Sequence, residues 1–166
     1  MCSAEVGWQA VWRAVVDHAE SGGEQADGKR VQMTVLASGT EADGTTWELD
    51  VSGDPHDLST MVSQRRPGGR TPWGLGCAGP AVEPGRRVKV CVGVADDAVR
   101  TLIVRVTPDV HAVVVTLSDG TREDLVLHGD PTRLRARVAV LVYPPQLDVH
   151  RIDLFGYEGE VLPEEH

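Results

Sequence analysis

The basic side chains of this sequence are concentrated in one segment that has no regular hydrophobic period. Between positions 65 and 89 there are six cationic residues and one carboxylate, Glu83, a net charge of +5 in a chain whose total is −9. The segment also contains six glycines and Trp73. Guanidinium groups bind carboxylates and phosphates through paired hydrogen bonds, and glycine backbone adds N–H donors at close range. These features predict an anion-binding loop over 64–87 whose contact residues are Arg65, Arg66, Arg70, Trp73, Arg86 and Arg87.

The ligand expected at this loop is an acidic protein surface or an anionic small molecule. Nucleic acid is a weaker candidate, because the rest of the chain carries a net charge of −14 and would repel a long polyanion. The chain has 14 Arg but only two Lys and no Asn, which indicates a GC-rich, actinobacterial type of genome. Arginine abundance alone is therefore weak evidence for binding. The alternative is a solvated connection whose charge balances an acidic neighbour.

Histidine and aspartate form a second pattern that could perform chemistry. Four of the six histidines have an aspartate two positions away, and on a strand such residues share a face. An aspartate so placed can orient or charge an imidazole, which suggests a small enzyme or a metal-binding protein with a His/Asp-lined pocket. Three of the pairs lie in predicted turns, where Asp is common for backbone reasons. The sequence therefore favours a non-catalytic protein without a cofactor, with His56, His111 and His150 as weak alternative metal ligands.

The cysteines give a third candidate site. Cys77 lies among glycines and prolines, and Cys91 lies in a run of alternating valines that predicts a strand. The alternation places Cys91 on the face opposite Val88 and Val90, away from the main core. An odd total of three cysteines and a reducing cytoplasm predict unlinked thiols, with a Cys77–Cys91 disulfide second. A metal ligand or nucleophile ranks third, because neither cysteine has a C-x2-C partner or a nearby His.

The elements that would position these residues are mostly strands. An amphipathic helix is predicted over 4–20, where apolar residues recur at spacings of three and four. A period of two then predicts a β-hairpin region over 30–63 and a series of strands over 87–162. The dipeptide Asp119-Gly120 is the strongest hairpin signal in the chain. About nine short strands with frequent turns are expected in total.

The predicted fold is mainly β: a single domain over 1–166, built as an antiparallel β-sandwich with the N-terminal helix packed on one side. A closed antiparallel barrel is the alternative. The rhythm of the last 75 residues is similar to that of immunoglobulin-like modules, although the Cys-Trp-Cys spacing is lacking. No Gly-rich phosphate motif follows a strand, which argues against nucleotide-binding α/β folds. The absence of a signal peptide and of a long apolar segment predicts a soluble cytoplasmic protein. The oligomeric state stays open.

Overall fold

The computed structural model describes residues 33–69, 73–95 and 99–165. The predicted helix over 4–20 lies outside the described residues. Within them the chain is mainly β, as predicted from the alternating pattern, with one short helix, α1, at Pro131–Leu134. Eleven strands are present rather than about nine: β1 Thr34–Thr40, β2 Thr46–Asp54, β3 Asp57–Arg65, β4 Trp73–Cys77, β5 Val88–Ala95, β6 Val99–Val106, β7 Ala112–Leu117, β8 Arg122–Leu125, β9 Arg137–Tyr143, β10 Val149–Phe155 and β11 Val161–Leu162.

The strands form three antiparallel sheets. The first sheet has the order β1-β2-β3-β4, the second β5-β6-β9, and the third β11-β10-β7-β8. None of these three sheets closes on itself, so the barrel alternative is wrong for the described residues. The Asp119-Gly120 turn joins β7 to β8 as predicted, and Gly120 adopts a φ of 87° that favours glycine. No helix in the described part of the chain has the length and apolar character that a membrane crossing needs.

The second sheet has a hydrophobic cluster on each of its two faces. Leu102 and Val104 on β6 pack with Val113 and Val115 of the third sheet. Ile103, from the opposite face of β6, packs with side chains of the first sheet. Every residue from 101 to 106 is buried, which explains why β6 has an almost continuous apolar run instead of a clean alternation.

The segment 64–87, expected to be a loop, contains a strand. β4 pairs with β3 in the first sheet, with Trp73 opposite Gln64 and Cys77 opposite Thr60. The glycines of β4 alternate with its inward-facing residues, and a Cβ added at Gly74 would lie 3.3 Å from Met61 Sδ. The Met61 side chain therefore occupies the space that a side chain at Gly74 would need. Residue propensities do not predict this strand, because glycine usually weakens strands.

Cys77 and Cys91 form a disulfide, with their Cα atoms 5.9 Å apart. β4 is an edge of the first sheet and β5 is an edge of the second, so the bridge joins the two sheets. Only 4% of Cys91 is exposed, because the first sheet covers the face on which Cys91 lies. The prediction of unlinked thiols is therefore wrong, whereas Cys91 does lie on the face opposite Val88 and Val90, and the first sheet covers that face. Sequence spacing could not show that these two sheet edges meet.

Candidate functional site

The candidate residues of the basic segment are divided between the two ends of β3. Arg65 is the last residue of β3 and Arg66 follows it. Arg86 lines a cavity with the β2–β3 turn, at the opposite end of the same strand. A nine-residue strand separates its ends by about 26 Å. The structure therefore does not bring the predicted contact residues into one site, and Arg70 lies outside the described residues.

Arg86 and Arg87 hold the chain near its C-terminal end. Arg87 Nε donates to Asp109 Oδ2 at 2.9 Å, and its Nη1 donates to the carbonyl oxygens of Pro163 at 3.2 Å and Glu165 at 2.6 Å. Arg86 forms an ion pair with the Glu165 carboxylate. Both guanidinium groups already have acceptors within the chain, so a ligand would have to compete for them.

Arg65 and Arg66 have no ion-pair partner among the described residues, and both are exposed. The pKa of Asp43 is lowered first by a hydrogen bond from the Thr45 backbone N–H, at 2.8 Å, and further by the charge of Arg66. Arg66 thus lies within electrostatic reach of one carboxylate but forms no direct pair with it. As far as residues 33–69, 73–95 and 99–165 are concerned, these two guanidinium groups are available to an external acceptor.

A groove of about 590 Å³ runs across the outer face of the first sheet and reaches Arg65. Its lining comes from β1, β2 and β3, whose inward residues pack on the second sheet. The side chains that point outward into it are four hydroxyls, one carboxylate and one guanidinium: Ser38, Thr40, Thr46, Ser63, Glu48 and Arg65. Such a surface can form many hydrogen bonds but offers little apolar contact.

Trp73 is placed differently from the stacking surface expected in an open loop. It is half-buried and packs against the cluster between the first and second sheets. Its neighbour across the strand pair, Gln64, is buried and donates from Nε2 to Thr101 Oγ1 at 2.6 Å. Trp73 therefore closes one end of the packed interface, and only part of its ring reaches the surface.

The His–Asp pairs do not form carboxylate–imidazole contacts. Asp54 Oδ1 accepts from the His56 backbone N–H at 2.8 Å, and Asp130 caps α1 through Thr132. The other two aspartates, Asp109 and Asp148, form ion pairs with arginines. The described residues contain no group of three His, Cys, Asp or Glu side chains arranged to hold a metal. His56, His111 and His150 lie in the β2–β3 turn, before β7 and on β10, and do not converge.

Sequence reasoning missed Arg105, which is fully buried between the first two sheets. Its Nη2 donates to the carbonyl oxygen of Leu58 and to Thr60 Oγ1, each at 2.9 Å, and also to the carbonyl oxygen of Cys77. Its Nη1 donates to the carbonyl oxygen of Pro80 at 3.2 Å. Burial lowers the pKa of Arg105 to about 10, so the group is still cationic at neutral pH. The nearly continuous apolar run around Arg105 was the sequence signal for its burial, because such a run indicates a strand covered on both faces.

A second cavity, of about 320 Å³, lies at the end of β3 away from Arg65. Pro55 and His56 of the β2–β3 turn form one side, and residues 80–86 form another. Arg135, the residue after α1, lies at its rim in a left-handed conformation with φ 51°. This cavity is formed by segments that are distant in sequence, so no local motif indicates it.

Comparison of the chain with protein-family models, with curated proteins and with solved structures gave no match.

Proposed function

We propose that the protein is a non-catalytic binding module that recognises an acidic segment of a protein partner through Arg65 and Arg66. The observation that carries this proposal is that both guanidinium groups are exposed and have no ion pair in the described residues, whereas Arg86, Arg87 and Lys89 are each paired with a carboxylate. An exposed arginine without a partner keeps its planar set of donors available for a carboxylate.

The groove beside Arg65 supports a protein segment over other anions. Its hydroxyl groups can pair with the backbone and polar side chains of an extended segment, while Arg65 and Arg66 meet its carboxylates. Glu48 lies in the same groove and would repel a uniformly charged polyanion such as nucleic acid. An anionic small molecule is the other ligand expected from the sequence, and it would use only the arginine end.

The enzyme alternative receives less support from the geometry. The four aspartates of the His–Asp pairs already accept hydrogen bonds from backbone groups or pair with arginines, so they do not orient an imidazole. Binding requires only the exposed donors that the structure places at the end of β3.

Architecture and location complete the proposal. We infer a sandwich in which the second sheet is the middle layer, and the immunoglobulin-like character stays a prediction. The sequence predicts the cytoplasm, whereas the buried Cys77–Cys91 bridge favours a compartment that permits disulfides, because cytosolic thiols are kept reduced.

The test is binding of a fluorescently labelled Glu/Ser peptide, measured by anisotropy at low and high salt. The variant Arg65→Gln/Arg66→Gln removes both charges, and Arg122→Gln/Arg133→Gln is the matched control, because these arginines are also exposed and without an ion pair in the described residues. Loss of two exposed pairs worth about 0.7 kcal/mol each weakens binding about tenfold. Added salt should reduce wild-type affinity because exposed charges are screened.

Two results would contradict the proposal. Equal weakening in the control variant would show that the peptide responds only to total charge. Unchanged affinity in the Arg65→Gln/Arg66→Gln protein, with its circular dichroism spectrum intact, would remove these arginines from the binding surface.

A further inference from the structure

The 320 Å³ cavity at the other end of β3 has apolar walls. Pro55, Pro80 and Pro84 contribute to its lining together with Ala81 and Val82. Proline has no N–H group, so these walls offer few donors to water or to a polar ligand. The volume is at the lower end of the range for small-molecule pockets. Size and lining both suit a small ligand with an apolar body.

The cavity is held in shape by buried contacts. The Ala81 backbone N–H donates to the Pro55 carbonyl oxygen at 2.9 Å, and Arg105 Nη1 donates to the Pro80 carbonyl oxygen at 3.2 Å. Ala81 is 4% exposed and belongs to a buried cluster with Leu58 and Leu134. A preformed cavity of this kind requires little ordering when a ligand binds.

Most charges around the cavity are already neutralised within the chain. Arg86 pairs with Glu165, and the Glu83 carboxylate lies 3.2 Å from Lys89 Nζ. Arg135 has no ion pair with any described residue, and its side chain is exposed at the rim. The cavity therefore combines apolar walls with one available guanidinium group.

The backbone of Arg135 makes this position unusual. It is the only non-glycine residue with positive φ among the described residues, at φ 51° and ψ 23°. Glycine is the common choice after a helix in this conformation, because other residues adopt it at a cost. Its neighbours Leu134 and Ala136 are buried, at 4% and 0% exposure, which fixes the backbone between them. Strained residues of this kind cluster at ligand sites.

We propose that this cavity binds a small organic carboxylate, with the apolar body against the prolines and the carboxylate on the Arg135 guanidinium. The site is separate from Arg65 and Arg66, so it stands or fails independently of the protein-binding function proposed above. His56 also lines the cavity and offers a second polar group to the carboxylate.

Benzoate is the probe, and the neutral isostere benzamide is its control. Titration is followed by the backbone amide resonances of ¹⁵N-labelled protein, with a Kd on the order of 1 mM expected for so small a ligand. Benzoate should shift the amides of Ala81, Val82 and His56 in a saturable way, and benzamide should bind at least tenfold more weakly. Arg135→Gly suits the left-handed backbone and preserves the fold, yet it should weaken benzoate binding at least tenfold. Arg133→Gln, on the same short helix, should bind benzoate as wild type does.

Equal shifts with benzoate and benzamide would overturn the proposal, because the charge would then not contribute. Wild-type affinity in Arg135→Gly, or no saturable shift at all in the wild-type protein, would also overturn it. The Arg65→Gln/Arg66→Gln protein should retain benzoate binding, which distinguishes failure of this site from failure of the surface at Arg65.

Discussion

At the scale of single residues, Arg105 shows how a buried cation can be satisfied without a carboxylate. No described carboxylate pairs with it, and its donors instead reach carbonyl oxygens and one hydroxyl from β3, β4 and the loop after β4. Burying a charge costs several kcal/mol, which such hydrogen bonds must offset. The same bonds give donors to the carbonyl groups of Leu58, Cys77, Gly79 and Pro80. Arg105 is therefore a connection between three segments of backbone.

Substitution of Arg105 should destabilise the protein strongly. Arg105→Met removes the guanidinium donors from the carbonyls of Leu58, Cys77 and Pro80, although Cys77 keeps a bond from Thr60 Oγ1 at 3.4 Å and Pro80 one from Lys89 Nζ at 3.3 Å. We expect a loss of about 3–5 kcal/mol in the free energy of unfolding. Arg105→Lys keeps the charge but has too few directed donors, so it should also be less stable than wild type. Urea unfolding measures both, with an unchanged m-value as the sign of an intact fold. A wild-type midpoint for Arg105→Met would refute this role.

The aspartates in turns should determine the response to acid. Hydrogen bonds from the backbone N–H groups of His56 and Thr121 are the main cause of the lowered pKa values of Asp54 and Asp119, and the Thr132 side chain is the main cause for Asp130. A lowered folded-state pKa contributes stability above the ordinary value of 3.8, and that stability is lost as the pH falls through the folded-state value. We expect a constant Tm from about pH 7 to 5 and a decrease below about pH 4.

A triple variant separates this effect from other titrations. Asn at positions 54, 119 and 130 keeps an Oδ1 acceptor but does not titrate in this range. Its Tm should decrease less between about pH 4 and 2 than that of wild type. Identical acid profiles for the two proteins, recorded by thermal circular dichroism, would show that these aspartates do not control the acid response.

At the scale of elements, the sequence predicts strands where apolar and polar residues alternate clearly, and it does not predict them where that alternation is lacking. The valine runs predict β5 and β9, but no alternation predicts β4, because Gly74 and Gly76 stand where its outward side chains would be. β4 runs antiparallel to β3 and returns the chain to the far end of that strand. That return separates Arg65 from Arg86, although both lie in one short basic segment. The predicted binding site over 64–87 is therefore divided in two by β4, a strand that residue propensities do not predict.

The disulfide between β4 and β5 should be present in purified protein. Cys77→Ala/Cys91→Ala removes a bridge across a sequence separation of 14, and the loop-closure estimate gives a loss of about 3 kcal/mol. Guanidinium chloride unfolding measures the difference. Cys2→Ala is the matched control and should unfold as wild type does.

Alkylation provides the direct check on the same bond. Both cysteines are buried, so the reaction is run in denaturant. Iodoacetamide in denaturant without reductant should leave Cys77 and Cys91 unmodified, and prior reduction should make both reactive. Modification of both cysteines in denatured, unreduced protein would contradict the bridge and restore the prediction of free thiols.

At the scale of the whole described region, the second sheet connects the hydrophobic clusters that lie on its two faces. Leu102 and Ile103 are adjacent on β6 and fully buried, but they belong to different clusters. The first and third sheets do not contact each other in these clusters; each packs on the second sheet. Loss of order in the second sheet therefore exposes both clusters, which favours a single cooperative transition.

Truncation on either face of β6 should lower the same transition. Leu102→Ala and Ile103→Ala should each cost about 2–5 kcal/mol, because each leaves a cavity in a packed cluster. Tryptophan fluorescence reports on Trp47 and Trp73 of the first sheet in a Trp8→Phe/Trp12→Phe background, and far-UV circular dichroism reports on all sheets. The two signals should give the same midpoint in both variants. Separate midpoints in Ile103→Ala would show that the first sheet unfolds alone.

The position of the Cys77–Cys91 bridge has a mechanical consequence for a chain pulled from its two ends. The bridge joins positions 14 apart in sequence whose Cα atoms are 5.9 Å apart, so the segment between them is shielded from tension. After reduction, that segment can extend and should add about 45 Å of contour length to the fully stretched chain. The bridge would therefore appear in a force measurement as contour length that is released only by reduction. The bonds from Arg105 to Gly79 and Pro80, inside the shielded segment, would bear load only once the bridge is open.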